Sequence, residues 1–170
     1  MCDIAAGRAK TCDNLQGGVE ELYFFNNITD AFTVAANVCT AMNAGLTAAY
    51  KYVIQGDGNT LTESNVSDKK VGTKVNTQTL VAQLKQVNSA TNVELDKLLA
   101  GDISAVYKDR NGQYRWIADK GFNVTSTAEL VTGGARVDFN GYNVTLVAET
   151  LDLAPSLDAS TVTAFLAVAS

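Results

Sequence analysis

The stretch ISAVYKDRNGQYRWIADKGFNVTSTAELVTGGARVDFNGYNVTLVAETL, residues 103–151, reads as consecutive β-strands with turns cut between them. Ile103–Asp109 is apolar and β-rich, Arg110-Asn111-Gly112-Gln113 turns the chain, and Tyr114–Ile117 returns. After Gly121, Phe122–Ala128 reads as a further extended run, Thr132-Gly133-Gly134 breaks it and Ala135–Phe139 resumes. Asn140-Gly141 is the strongest two-residue hairpin signal, because a type I′ turn needs positive φ at both central residues. Tyr142, Val144, Leu146 and Ala148 then alternate with Asn143, Thr145, Val147 and Glu149, one face apolar and the other mostly polar.

Upstream of this block, Met1–Gly18 has no clean periodicity and reads as an arm or loop. Val19–Asn26 is a strand, and its adjacent Leu22, Tyr23, Phe24 and Phe25 predict burial on both faces. Ile28–Val38 fits a strand or part of a helix. Leu46–Gln55 alternates as a strand, with Tyr50, Tyr52 and Ile54 on one side, and Gly56-Asp57-Gly58-Asn59 is a turn. Thr60–Lys74 is polar, either one arm of a long exposed hairpin or a loop, and Thr77–Val87 is again a strand.

One helix is expected. Thr91 with Glu94 has capping-box spacing, Val93, Leu95, Leu98 and Leu99 supply an apolar stripe, and Gly101 ends it. Pro155 marks the end of the sheet. Ser156–Ser170 is a separate element whose apolar residues fit a helix face and a strand equally well.

The 170 residues suit one domain that buries a core without staples. A single proline, 13 glycines and 46% apolar residues favour strands joined by tight turns over a helical bundle. The chain has no histidine, which removes the commonest general base, metal ligand and pH switch together. A net charge of −5 is unsuited to gripping phosphate backbones. The N-terminal residues do not pattern as a signal peptide and no apolar run approaches membrane-spanning length, so a chain folded in a reducing cytoplasm is expected.

Cys2 and Cys12 are too far apart for a zinc knuckle and lack histidine partners, and Cys39 reads as a small core residue. Gly56-x-Gly58 and Gly133-Gly134 lack the strand-to-helix context of a phosphate loop. Asp57, Asp109, Asp138, Asp152 and Asp158 raise calcium, but no twelve-residue loop sets their oxygens at the required steps, and turn chemistry accounts for them. Tyr114 and Trp116 flank Arg115 either as a binding platform or as sheet-face core. No catalytic, metal or cofactor-binding residue is therefore assigned. Three segments, 1–18, 60–74 and 156–170, are long for connections within one compact domain and read as arms that reach neighbours.

These features in order resemble the tail tube (major tail) proteins of long-tailed bacteriophages. The likeness is carried by Leu98-Leu99-Ala100-Gly101-Asp102, the Asp109-Arg110-Asn111-Gly112 hairpin, Gly121, Thr132-Gly133 and Asn140-Gly141-Tyr142-Asn143-Val144-Thr145, with the opening Met1-Cys2-Asp3-Ile4 through Gly17-Gly18. It implies a mainly β fold, a β-sandwich or barrel with one short flanking helix, a long loop or hairpin (60–74) and terminal arms (1–18 and 156–170). It also implies a non-enzymatic virion protein, assembled in the host cytoplasm, whose hexameric rings stack into a hollow tube for DNA ejection. Partners would be copies of itself and the terminator, tape measure and distal tail components, with DNA passing through the lumen unbound. On this reading, deleting Thr60–Lys74 is expected to leave folding intact but stop tube growth. A capsid decoration or other virion or surface structural protein, and a monomeric β-sandwich binding module with a concave site near Tyr114 and Trp116, are the competing readings.

Overall fold

A computed structural model describes residues 7–8, 15–54 and 56–170. In chain order the elements are β1 (Val19–Asn26), β2 (Phe32–Ala35), β3 (Val38–Met42), β4 (Tyr50–Val53), β5 (Thr60–Asp68) and β6 (Thr73–Lys85). Helix α1 (Ser89–Ala100) precedes β7 (Ile103–Asp109), β8 (Tyr114–Ile117), β9 (Thr127–Val131) and β10 (Gly141–Thr150). β11 (Ser156–Leu157) and α2 (Ala159–Val168) follow.

The fold is mainly β, as expected, and it is the sandwich rather than a closed barrel. A seven-stranded sheet in the order β2-β3-β11-β8-β7-β1-β4 packs on a four-stranded sheet in the order β5-β6-β10-β9. β1 spans the expected residues and is covered on both faces. Leu22 and Phe24 join the core between the sheets, with Leu80, Val144 and Leu146, while Tyr23 and Phe25 point into a second core with Phe32, Trp116 and Phe165. The second core is closed by α2, so the large sheet is the middle of three layers. A strand buried on both faces has no solvent side on which to alternate, which is why its aromatics run consecutively.

Four expectations about local structure are corrected. First, Ala135–Phe139 is not a strand. Gly133 sits at φ +66°, and the Asp138 carboxylate accepts the backbone N–H groups of Gly134 and Ala135 at 2.8 and 2.6 Å, fixing a turn. Asn140-Gly141 is accordingly not a two-residue hairpin, since β9 and β10 pair from Gly141 opposite Val131 across the intervening loop. The glycine serves close strand approach instead, because a Cβ at Gly141 would lie 2.1 Å from the Leu84 carbonyl oxygen.

Second, the two-residue hairpin with both central residues at positive φ is Ala36-Asn37, at +50° and +63°, joining β2 to β3. The undecided Ile28–Val38 segment therefore resolves as a strand and its turn. Third, the cap of α1 is Asn88, whose side-chain oxygen accepts from the Thr91 N–H at 2.7 Å. Only Leu95 and Leu98 of the expected stripe are buried, Val93 and Leu99 are exposed, and Glu94 pairs with Lys97 rather than closing a capping box. Gly101 does follow the helix, donating to the Lys97 carbonyl at 2.8 Å.

Fourth, the sheet does not end at Pro155, and 156–170 is no free arm. Ser156 and Leu157 insert β11 between β3 and β8, and α2 then lays Phe165 into the second core, fully buried. The main chain of 168–170 hydrogen-bonds to Ala49 and Lys51 at the outer edge of β4. The proposed arm at 1–18 lies mostly outside the described residues. Within it, Gln16 exchanges two 2.9 Å hydrogen bonds with the side chain of Asn111.

Candidate functional site

Thr60–Lys74 takes the hairpin alternative. β5 pairs with β6 from Thr60 opposite Val81 to Asp68 opposite Thr73. β10 stops at Thr150 opposite Asn76, so the end of the hairpin extends past it as a two-stranded ribbon. Isolated ribbons are marginal in water, and this one is braced at its turn. Asp68 accepts the N–H groups of Lys70 and Val71 through its carboxylate, and that of Gly72 through its carbonyl at 2.8 Å. The ribbon presents Val66 and Val71, 58% and 72% exposed, beside Lys69 and Lys70.

The base of the hairpin is part of the body. Leu61 packs on the inter-sheet core. Glu63 Oε1 accepts from Gln78 Nε2 at 2.7 Å, from the Ala154 N–H at 2.9 Å and from Asn76 Nδ2 at 3.5 Å. Gln78 in turn accepts the Ala118 N–H at 2.8 Å, linking the small sheet to the loop after β8. Removing 60–74 would strip partners from these buried groups, so a deletion confined to the tip, rather than one of the whole segment, is the one expected to leave folding intact. Only the tip is dispensable to the core.

The small sheet turns one face to the inter-sheet core and the other outward. Register places Thr60, Val81, Thr145 and Thr127 on one outward rung, and Thr62, Thr79 and Val147 on the next. Glu149 and Glu129 add carboxylates to this face, and Lys85 stands at one end of it. Among the described residues, both outer strands of this sheet, β5 and β9, pair on one side only.

A groove of about 850 Å³ opens between α1 and the β1–β4 end of the large sheet. Phe24 and Tyr52 meet edge to face at 4.9 Å in it, Leu98 and Ile103 line it, Tyr50 stands 54% exposed, and Glu94 is at its rim. A smaller, more polar cleft of about 560 Å³ lies at the base of the hairpin, between Lys74, Asp152, Gln78 and Trp116.

The aspartates, glycines and cysteines singled out in the sequence do not converge on one site. Asp57 pairs with Arg110 at 3.1 Å, Asp109 caps the β7–β8 turn through the N–H groups of Asn111 and Gln113, and Asp152 pairs with Lys74 at 2.6 Å. Asp138 holds the 132–140 loop, and Asp158 is the N-cap of α2, accepting from the Thr161 N–H at 2.7 Å. The N–H groups of Ala135 and Gly134 hold the Asp138 carboxyl below its usual range, and the backbone N–H of Thr161 is the largest cause of the same lowering at Asp158. Gly56 and Gly58 precede a strand, β5, rather than a helix. Cys2 and Cys12 lie outside the described residues. Cys39 is fully buried, and desolvation pushes its thiol up to about 12, so it is packing rather than nucleophile.

Trp116 is 7% exposed and packs at a tilt against Phe32, ring centroids 5.3 Å apart, which makes it core rather than a platform, while Tyr114 is half-buried beside the same core. The aromatic groove at α1 was not foreseen. Its signal was the alternation of Tyr50 and Tyr52, which sets both rings on the Phe24 side of β4. Among the described residues, no helix is long and apolar enough to cross a membrane. No family model, curated protein or solved structure matches this chain.

Proposed function

We propose that the chain is a structural subunit that self-assembles into stacked rings, building the hollow tail tube of a long-tailed bacteriophage virion. It acts through assembly rather than catalysis. The observation that carries this reading is the outward face of the small sheet together with its two open edges. Among the described residues, threonines and valines fill the central rungs, carboxylates outnumber the one lysine, and β5 and β9 each pair on one side only, which leaves an edge for a strand of a neighbour.

Copies joined edge to edge through β5 and β9 would close a ring and leave no unpaired edge in that sheet. The outward face would then line a lumen. Nucleic-acid affinity comes chiefly from cations that neutralise phosphates. A hydroxyl-rich wall whose carboxylates outnumber its lysine offers little to neutralise phosphates, so DNA would pass without being held. Partners are copies of the chain itself and, by resemblance, the terminator, tape measure and distal tail components. The location is the virion tail, assembled in the host cytoplasm.

Negative-stain electron microscopy of the purified protein over a range of concentrations tests the proposal. Hollow rods with a regular axial repeat are expected. Particles of one small size at every concentration, decorating a separately purified capsid lattice, would replace the tube with a decoration role.

A further inference from the structure

We propose that the β2–β3 hairpin of one copy seats in the groove between α1 and β4 of its side-by-side neighbour. The inference rests on the ring reading above and names a contact of the large sheet that accompanies β5–β9 pairing in the small one.

Register sets the two surfaces level. Ala35 pairs with Val38, and the row continues through Ser156, Arg115, Tyr107 and Leu22 to Tyr52. Residues directly opposite one another in a sheet share a face. Ala35 at one edge and Tyr52 at the other therefore lie at one height along the strands. Both belong to the face on which Leu22 and Tyr107 join the inter-sheet core.

The edges of the two sheets follow the same order. Asn65 of β5 and Lys74 of β6 share a cleft with Val34 and Asn37 of the hairpin, whereas α1 packs against β9. The hairpin is thus on the β5 side of the sandwich and the groove on the β9 side. A neighbour that sets its β9 against β5 brings its α1–β4 groove round to the hairpin.

Charge selects the same occupant. Residues 31–50 contain no Asp, Glu, Lys or Arg, in a chain that is 18% charged. At the groove, Glu94 and Lys97 pair with each other at 2.8 Å, and Lys51 of β4 pairs with Glu21 at 2.8 Å. A charged occupant would lose water there without finding a free partner, and an uncharged hairpin does not. Between copies of net charge −5, a neutral surface also allows approach without repulsion.

Both surfaces hold apolar side chains in solvent. Val34, Ala35 and Ala36 are exposed on the hairpin, and Tyr50 stands half out in solvent beside Tyr52 and Leu98 in the groove. The hairpin turn is only Ala36 and Asn37, a narrow knob for a groove of about 850 Å³. Residues 168–170 already hydrogen-bond to the outer edge of β4 at Ala49 and Lys51, so a neighbour meets side chains there rather than a bare ladder. Hairpin and groove stand at opposite ends of a seven-stranded sheet, roughly 29 Å apart at about 4.8 Å per strand, so no copy fills its own groove. The contact is heterologous, the kind that builds a ring when its rotation closes.

The test uses the full-length chain with Cys2→Ser and Cys12→Ser, in which Cys39 remains buried. Ala35→Cys and Tyr50→Cys are added together, the assembled protein is treated with a short bismaleimide, and the products are resolved under denaturing conditions and viewed by negative stain. A ladder of covalent oligomers that stops at one closed ring, forming at least tenfold faster than from chains with either cysteine alone, supports the docking. Ala35→Glu, at an exposed position, should slow assembly severalfold and leave thermal melting unchanged. Assembly of Ala35→Glu at the wild-type rate would overturn the docking.

Hollow rods whose subunits do not cross-link would overturn the docking and leave the tube reading standing. A ladder that runs on without closing, from open strings, would support the docking and overturn the ring. Absence of both association and cross-link at high concentration would overturn the docking outright.

Discussion

Phe24 and Phe25 are neighbours in β1 yet belong to different cores. The Phe24 ring meets Tyr52 at 4.9 Å between the sheets, and the Phe25 ring meets Phe165 at 6.2 Å under α2. The strand is thus the wall common to both cores, and damage on one side should be felt on the other.

Phe165→Ala is expected to destabilise the protein by about 3–5 kcal/mol, the usual cost of emptying a buried phenylalanine site. Its ring contacts Tyr23, Phe25 and Phe32, so the cavity would open directly on β1. Urea titration followed by tyrosine and tryptophan fluorescence should show the midpoint falling with a single transition retained. A separate early transition confined to α2 would mean that the C-terminal segment is an appendage rather than a layer.

The β2–β3 turn carries backbone strain that a better turn sequence should relieve. Ala36 at φ +50° pays the left-handed penalty of roughly 1–2 kcal/mol for a residue with a Cβ. Ala36→Asn with Asn37→Gly installs the pair a type I′ turn prefers, and thermal melting should rise by an amount equivalent to about 1 kcal/mol. An unchanged or lowered melting temperature would show that the strain is not located there.

Glu63 should behave as a structural residue despite its position on an edge strand. Glu63→Ala leaves Gln78 Nε2 and the Ala154 N–H without their acceptor, a loss of about 1–3 kcal/mol for buried donors. The Lys69→Glu, Lys70→Glu tip variant, which touches none of these groups, should keep wild-type stability by chemical denaturation. Equal destabilisation by both would contradict the division of the hairpin into base and tip.

Acid should loosen α2 through its cap. Hydrogen bonds from Thr161 and Ser160 hold the folded-state pKa of Asp158 below its unfolded value. The cap therefore contributes stability that is present above the unfolded pKa near 3.9 and is lost as pH falls through the folded value. Asp158→Asn retains a capping oxygen without titrating. The stability difference between wild type and this variant should shrink or change sign between neutral pH and pH 3. A pH-independent difference would remove the cap from the acid response.

The parts of the fold legible in the sequence were those where one local force decides. β1, β7 and β8 carried their boundaries in apolar runs ended by turn residues, and β10 in strict alternation. The misreadings fell where a side chain outweighed propensity. Asp138 pulled an extended-looking Ala135–Phe139 into a turn, and Asn88 captured the helix start that Thr91 and Glu94 advertised. The second core was invisible because it is tertiary. Nothing near Phe165 in sequence says that it meets Phe25 and Phe32. The candidate surfaces divide in the same way: the projecting hairpin was visible as a polar run between strands, whereas the groove exists only once α1 is laid beside β4.

Insertion of β11 also sets a timetable. Among the described residues, β2 and β3 join the rest of the large sheet through Ser156 and Leu157, and Leu157 pairs with Cys39. During synthesis at roughly 5–20 residues per second, the ribosome needs on the order of ten seconds to travel from one partner to the other. Throughout that interval Phe32 and Cys39 wait without their cover, and the large sheet stays in two pieces. Closing so long a loop is slow as well as late. The nascent chain thus passes through a window with bare apolar surface, and the final segment acts as the latch that ends it.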